Sequence, residues 1–148
     1  MTTKPKKTQP LRGATKPRVH SPLLKGKTRA NEVIEMVERL KMDKLMPYQE
    51  FILKDMMMVD KKNNYRRKTS LLLISRQNGK SHLGRVRVIW GMFYGDEKKI
   101  IIMSANRATS LMLFREIAWI IESTPELKAM TKVIRYANGG ERIELLNG

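Results

Sequence analysis

Four stretches of the chain carry apolar residues three or four positions apart, a spacing typical of amphipathic helices. They cover about residues 32–42, 47–59, 80–94 and 106–123. Asn31 is a candidate N-cap for the first of them, Asn106 or the residue beside it starts the last, and Pro47 suits a first helical turn. Pro125 ends the fourth helix, and the residues up to Met130 suffice for one short helical turn.

Short apolar runs between these helices predict strands. Residues 69–75 and 100–104 form two continuous runs, typical of strands buried in a parallel sheet. Residues 133–136 and 141–146 flank Asn138-Gly139-Gly140 and predict a β-hairpin. The first run, the helix after it and the second run span about 35 residues, the size of one right-handed crossover. The pattern therefore predicts an α/β fold with a mainly parallel sheet.

The first apolar run leads into the loop Ser75-Arg76-Gln77-Asn78-Gly79-Lys80-Ser81. This loop is similar to the second half of a phosphate-binding P-loop, whose backbone N–H groups cradle phosphate oxygens. The lysine of such a loop reaches the β- and γ-phosphates, and the serine hydroxyl holds Mg²⁺. Ile74 stands where the full motif has its first glycine. A solvated turn with an ordinary lysine therefore remains an alternative.

Tyr48 and Gln49 lie upstream of the loop, at the start of the second predicted helix. A glutamine amide can pair with the donor and acceptor edges of adenine, and a tyrosine ring can stack on the base. The two residues are therefore candidate adenine contacts. The alternative is a packed tyrosine and an exposed glutamine, which we would favour if the loop did not bind phosphate.

Charge is distributed unevenly along the chain. Its 30 basic and 14 acidic residues give a net charge of +16. Residues 1–29 hold nine of the basic residues, four prolines and no acidic residue, which predicts a disordered basic tail. Nucleic acid is the simplest partner for this charge. For the tail alone, a solubilising arm is an equally good interpretation.

Composition excludes several kinds of site. The absence of cysteine rules out disulfides and cysteine-based zinc sites, and two histidines are too few for a histidine-rich metal site. No apolar run approaches the ~20 residues of a membrane span, and the N-terminus lacks a secretory signal. The sequence therefore predicts a cytosolic protein without a membrane partner.

Together these elements resemble the N-terminal part of the ATPase domain of the large terminase subunit of tailed bacteriophages. The resemblance covers about residues 30–148 and rests on Leu45-Met46-Pro47-Tyr48-Gln49, on the loop, and on the second apolar run with its long helix. In this family the first loop glycine is commonly missing, and an arginine stands where Arg76 stands. The implied fold is a P-loop NTPase-like three-layer α/β fold with a mainly parallel sheet, incomplete and preceded by the disordered basic tail 1–29.

The resemblance implies an ATP-driven motor that moves double-stranded DNA into a capsid, in the cytoplasm of an infected bacterial host. ATP and Mg²⁺ would be the cofactors. Lys80 would contact the β- and γ-phosphates, Ser81 would hold Mg²⁺, and Arg76 would contact the γ-phosphate or act as an arginine finger, so that Arg76 and Lys80 are the candidate catalytic residues. The other implied nucleotide contacts are Tyr48, Gln49, Ser75, Gln77, Asn78 and Gly79. Further implied partners are the small terminase subunit, the capsid portal and other copies of the chain in a ring.

P-loop ATPases also need a strand that ends in acidic residues for Mg²⁺ and the attacking water. No apolar run of this chain ends in Asp-Glu. We therefore expect residues 30–148 to be truncated before that motif, to lack the nuclease domain of the family, and to hydrolyse ATP poorly alone. Two alternatives stay open: a basic non-enzymatic DNA-binding protein, and another P-loop enzyme such as a helicase-like ATPase or a small-molecule kinase.

Overall fold

The computed structural model describes residues 13–147, in which there are five helices and two strands. They are α1 Ala30–Arg39, α2 Pro47–Met56, α3 Lys80–Phe93, α4 Arg107–Ser123, α5 Pro125–Met130, β1 Thr131–Arg135 and β2 Arg142–Leu145. The predicted helices and the predicted hairpin are thus confirmed, with bounds a few residues from those expected. No helix in the described part of the chain has the length and apolar character needed to cross a membrane.

Helical periodicity decides which side of each helix faces the core. Helix α3 buries Leu83, Val86, Ile89 and Trp90, the positions that its apolar spacing indicated. The buried residues of the other helices are Ala30, Val33, Met36 and Val37 in α1, Gln49 and Leu53 in α2, Ile117, Ala118 and Ile121 in α4, and Leu127 in α5. The core therefore lies where α3 meets α1 on one side and α4 on the other.

Helix α4 starts at the residue beside Asn106, as predicted, and Asn106 is its N-cap. The side chain of Asn106 accepts a hydrogen bond from the backbone N–H of Thr109 at 2.9 Å and so caps α4. The prediction for Asn31 was wrong, because α1 already begins at Ala30. The hydroxyl of Thr28 accepts a hydrogen bond from the N–H of Ala30 at 3.2 Å, where the helix begins two residues earlier than predicted.

Strands β1 and β2 pair antiparallel, with Ile134 opposite Ile143. The turn between them places Gly139 at φ +81°, and the N–H of Gly140 donates to the carbonyl of Ala137 at 2.9 Å. Glycine adopts a positive φ without the steric cost that a side chain imposes. The hairpin therefore follows from local turn chemistry, as predicted.

The parallel strands predicted for the two apolar runs, residues 69–75 and 100–104, are not formed. Neither run has a ladder partner among the described residues, whose sheet consists of β1 and β2 alone. A strand requires a neighbour that takes up its backbone N–H and C=O groups, and the described chain places none beside these runs. The described fold is therefore mixed α and β, and its sheet is the predicted antiparallel hairpin without the predicted parallel strands.

Exposure nevertheless alternates along both apolar runs. Leu72 and Ile102 pack against the core, whereas their neighbours Leu73 and Met103 are 85% and 86% exposed. A period of two is typical of a strand with one covered face. One face of each run therefore packs against the helices, and the other face exposes apolar side chains.

The basic tail was predicted to be disordered over residues 1–29, and the first 12 of these lie outside the described residues. The end of the tail is held in place. The N–H of Leu24 donates to Asp55 at 3.1 Å, and Arg67 donates to the carbonyl of Pro22 at 2.7 Å. The prediction of disorder does not hold for this part, because α2 and the loop after it supply partners that composition cannot reveal.

Asp55 is the centre of this attachment, since it also forms an ion pair with Arg67 at 2.5 Å. Burial acts to raise the pKa of Asp55, but the hydrogen bonds from Arg67 and Leu24 outweigh it and hold the pKa below its ordinary value. The carboxylate therefore stays ionised at neutral pH. Its stabilising contribution is lost only as the pH falls through this lowered pKa.

Candidate nucleotide-binding loop

The loop of residues 75–79 is spanned by the lysine that follows it. Lys80 is the first residue of α3, and its ammonium donates to the carbonyl oxygens of Ile74 at 2.8 Å and Ser75 at 3.0 Å. Hydrogen bonds from a charged donor are stronger than those between neutral groups. The side chain of Lys80 therefore folds back across the loop.

Two left-handed residues turn the chain from the loop into α3. Gly79, the N-cap, has φ +72°, and Gln77 has φ +61°. Only glycine takes this conformation without a cost, so Gln77 holds about 1 kcal/mol of strain. The first turn of a helix leaves N–H groups without intrahelical acceptors and carries a partial positive charge. The N–H groups of Lys80 and Ser81 lie in that turn and can receive an anion.

Gln49 supports the loop from the core side. Its side chain is 1% exposed, so the alternative of an exposed glutamine was wrong. The amide N–H donates to the carbonyl of Gly79 at 2.9 Å, and the amide oxygen accepts from the N–H of Met46 at 2.7 Å. Gln49 therefore joins the start of α2 to the start of α3. Its contact with adenine stays a prediction.

Tyr48 contacts the same loop from α2. Its half-buried side chain donates a hydrogen bond from the hydroxyl to the carbonyl of Asn78, and the amide of Asn78 donates in turn to the hydroxyl of Ser75. The structure thus brings Tyr48 and Gln49 against residues 30 positions later in the chain. This is the neighbourhood in which both were predicted to act.

The remaining predicted site residues are exposed. Arg76, Gln77 and Ser81 each point a side chain to the surface of the loop or of the first turn of α3. Among residues 13–147 there is no group of three or more His, Cys, Asp and Glu side chains that could hold a metal ion. The donors present are an ammonium, a guanidinium, a hydroxyl and N–H groups. This set suits a polyphosphate, whose own oxygens and water supply most ligands of Mg²⁺.

Sequence reasoning missed His82, which anchors the start of α3. Arg85 donates to Nδ1 of this ring at 3.2 Å, and Nε2 lies 2.9 Å from the carbonyl of Asp43. Arginine can only donate, so Nδ1 is the acceptor and Nε2 carries the proton that is donated to Asp43. Arg85 also pairs with Glu116 of α4 at 2.9 Å. These partners are 31 and 39 positions away, and no spacing in the sequence could have indicated them.

Neither models of known protein families, nor curated protein sequences, nor solved structures match this chain.

Replacing Gly79 by alanine should disrupt the contacts between the loop and α2. The new Cβ would lie 2.7 Å from the amide nitrogen of Gln49 and 3.3 Å from the hydroxyl of Tyr48. Alanine at a positive φ adds about 1–2 kcal/mol. With the loss of the Gln49 contact we expect Tm to fall by about 5–10 °C in a thermal melt followed by circular dichroism.

Gly84→Ala is the matched control for this variant. Gly84 lies within α3, and no atom is within 4 Å of the Cβ that alanine would add there. Because alanine is the better helix former, Tm should stay constant or rise. Equal melting temperatures for the two variants would contradict the proposed role of Gly79.

Proposed function

We propose that this chain is the ATP-binding portion of a phage DNA-packaging motor of the large-terminase type, which couples ATP hydrolysis to translocation of double-stranded DNA into the capsid. One observation carries the proposal. Lys80, at the first position of a helix, folds across a loop that the buried amide of Gln49 holds through Gly79. A solvated turn with an ordinary lysine would need neither contact.

The loop residues have distinct roles in this proposal. Lys80 exchanges its two carbonyl acceptors for phosphate oxygens, which are charged and therefore bind an ammonium more strongly. Arg76 is exposed, and its planar guanidinium can grip the terminal phosphate by two hydrogen bonds. Ser81 offers a hydroxyl to Mg²⁺. Bound ATP supplies the phosphoanhydride bond whose hydrolysis drives the motor.

The exposed faces of the two apolar runs support a three-layer P-loop fold. In a three-layer P-loop fold with a mainly parallel sheet, both runs would be strands covered on both faces. A cavity of about 560 Å³ lies next to the second run, lined by Ile100 and Ile102 and, from the hairpin, by Ile143 and Leu145. Additional strands of a larger sheet would fill this space and cover the exposed apolar side chains.

A packaging motor implies partner proteins and a location in the cell. We propose a ring of several copies in the cytoplasm of an infected bacterium, in contact with a small terminase subunit and the capsid portal. The net charge of +16 suits DNA. The same charge favours the alternative of a non-enzymatic basic DNA-binding protein, but that alternative gives no reason for the contacts of Gln49 and Lys80 with the loop.

The proposal is tested by calorimetric titration of the purified chain with MgATP. We expect weak binding, with Kd of about 10⁻⁴ M, toward the upper end of the concentrations at which enzymes bind substrates. MgADP should compete. AMP should not, because it lacks the phosphates that Lys80 would hold. A chain that is folded by circular dichroism, binds DNA and takes up no ATP would refute the proposal and favour the non-enzymatic alternative.

A further inference from the structure

The end of α2 opposite the loop carries a second structured region. Helix α2 has 10 residues and is therefore about 15 Å long, with Tyr48 and Gln49 in its first turn. Beyond its last turn, residues 27–29 pair antiparallel with residues 57–59. The N–H of Val59 donates to the carbonyl of Lys27 at 3.0 Å, and the N–H of Arg29 donates to Met57 at 3.1 Å.

Five exposed basic side chains converge on this region. We call them the basic surface: Lys25, Lys27, Lys61, Lys62 and Arg66. All but Lys62 line an open hollow of about 640 Å³, which they share with Asp60 and Asn63. Within residues 13–147 none of the five forms an ion pair, although ten such pairs occur elsewhere in that range. The basic surface therefore keeps its positive charge available to a partner.

Asp60, the carboxylate in the hollow, offsets one of the five positive charges and shapes the loop. It accepts hydrogen bonds from the N–H groups of Lys62 at 2.8 Å and Asn64 at 2.9 Å. The N–H of Asn64 is the main cause that holds the pKa of Asp60 below its ordinary value. Asn63 stands at φ +66°, a conformation that asparagine tolerates. The loop is thus a tight turn that presents Lys61 and Lys62.

Arg66 joins the two segments. Its guanidinium donates to the carbonyl of Lys25 at 2.8 Å, and its own N–H donates to the carbonyl of Met58 at 2.9 Å. The cations are therefore carried by backbone segments that are hydrogen-bonded to one another. A fixed frame lowers the entropy cost of placing several charges along one polyanion.

We propose that the basic surface binds the phosphate backbone of duplex DNA. Lysine is a compact point charge that suits phosphate, and contacts to phosphate carry no sequence information. Binding without sequence preference is what a protein that moves along DNA requires. The choice of duplex DNA as the polyanion depends on the function proposed above, whereas the attraction to phosphate does not.

The surroundings of the hollow favour a duplex over a single strand. Proteins that hold single strands stack the bases on aromatic side chains. Tyr65 is the aromatic residue of this loop, and it turns toward the core, where its hydroxyl donates to Glu97 at 3.1 Å. None of the described residues that line the hollow is aromatic. Single-stranded DNA and RNA should therefore bind the basic surface no more tightly than a duplex of equal length.

The test compares two variants that lose the same charge. The first replaces Lys25, Lys27, Lys61 and Lys62 by alanine, and the second replaces the exposed lysines Lys41, Lys44, Lys99 and Lys128. Both keep the residues of the tail before Lys25, so binding by those residues is common to them. The affinity for a duplex of random sequence is measured by fluorescence anisotropy between 50 and 200 mM salt, and circular dichroism confirms that both variants fold.

Each phosphate contact contributes about 0.9 to the slope of log affinity against log salt, so four contacts contribute about 3.6. Between 50 and 200 mM salt, the unchanged chain should therefore lose about 150-fold more affinity than the first variant. The control variant should keep the slope of the unchanged chain. Equal slopes for the two variants would overturn the proposal, as would tighter binding of single strands. MgATP binding should be the same in both variants as in the unchanged chain. If the unchanged chain itself binds no MgATP, that result counts only against the nucleotide site.

Discussion

Replacing Lys80 by alanine should weaken MgATP binding about 10- to 100-fold, because a hydrogen bond to a charged group is worth about 1.5–3 kcal/mol. Because MgATP is expected to bind only weakly to the unchanged chain, a calorimetric titration of the variant should show no measurable heat of binding. The physical reason is that Lys80 is the residue whose ammonium already reaches across the loop, to the carbonyl oxygens of Ile74 and Ser75.

The fold should survive this change. The side chain of Lys80 is exposed, and an exposed substitution of this kind typically changes the free energy of unfolding by less than about 1 kcal/mol. Lys44→Ala removes another exposed lysine, which lies outside the loop, and serves as the matched control. Equal MgATP affinity in the Lys80 variant, the Lys44 variant and the unchanged chain would contradict the proposed nucleotide site.

Replacing Trp90 by alanine should lower the free energy of unfolding by about 3–5 kcal/mol, the cost of a large cavity in a packed core. Trp90 is fully buried in α3. The guanidinium carbons of Arg29 and Arg87 lie 4.5 Å and 5.1 Å from the centre of its ring. Alanine would remove these two cation–π contacts together with the apolar packing.

Trp119→Ala is the control for this variant, since the side chain of Trp119 is 68% exposed. It should change the free energy of unfolding by no more than about 0.5 kcal/mol. Both variants are compared by urea unfolding followed by circular dichroism, because tryptophan fluorescence is itself altered. A similar midpoint for the two would show that the core is not centred on α3 as the structure places it.

Trp90→Phe distinguishes the contribution of the aromatic ring to stability from that of the indole nitrogen. The Nε1 atom of Trp90 is buried and has no hydrogen-bond partner among the described residues. Phenylalanine retains an aromatic face for Arg29 and Arg87 and removes this unpaired donor. The loss of stability should therefore be clearly smaller than for alanine.

Sequence by itself determined the features that depend on neighbouring residues. The apolar spacing of residues 80–94 predicted α3 and its buried side, and Asn138-Gly139-Gly140 predicted the hairpin turn. The start of α4 at Asn106 or its neighbour was predicted as well, and the cap found there is local, since the side chain of Asn106 accepts from an N–H only three residues away. The order of residues in the loop 75–81 likewise predicted a candidate nucleotide site, and that site stays a prediction. Propensity, capping and turn chemistry act over about four residues, so a linear sequence displays them directly.

Tertiary structure alone decided the contacts between distant residues. It showed that Gln49 is buried against Gly79, that the end of the basic tail is attached to Asp55, and that the two apolar runs lack strand partners in the described chain. It also placed Lys25 and Lys27 beside Lys61 and Arg66 to form the basic surface. These outcomes depend on which segments the packing of the helices brings together, and a backbone group can be satisfied by any partner that arrives there. Periodicity identifies the face of an element that is to be covered, but only the folded chain shows what covers it.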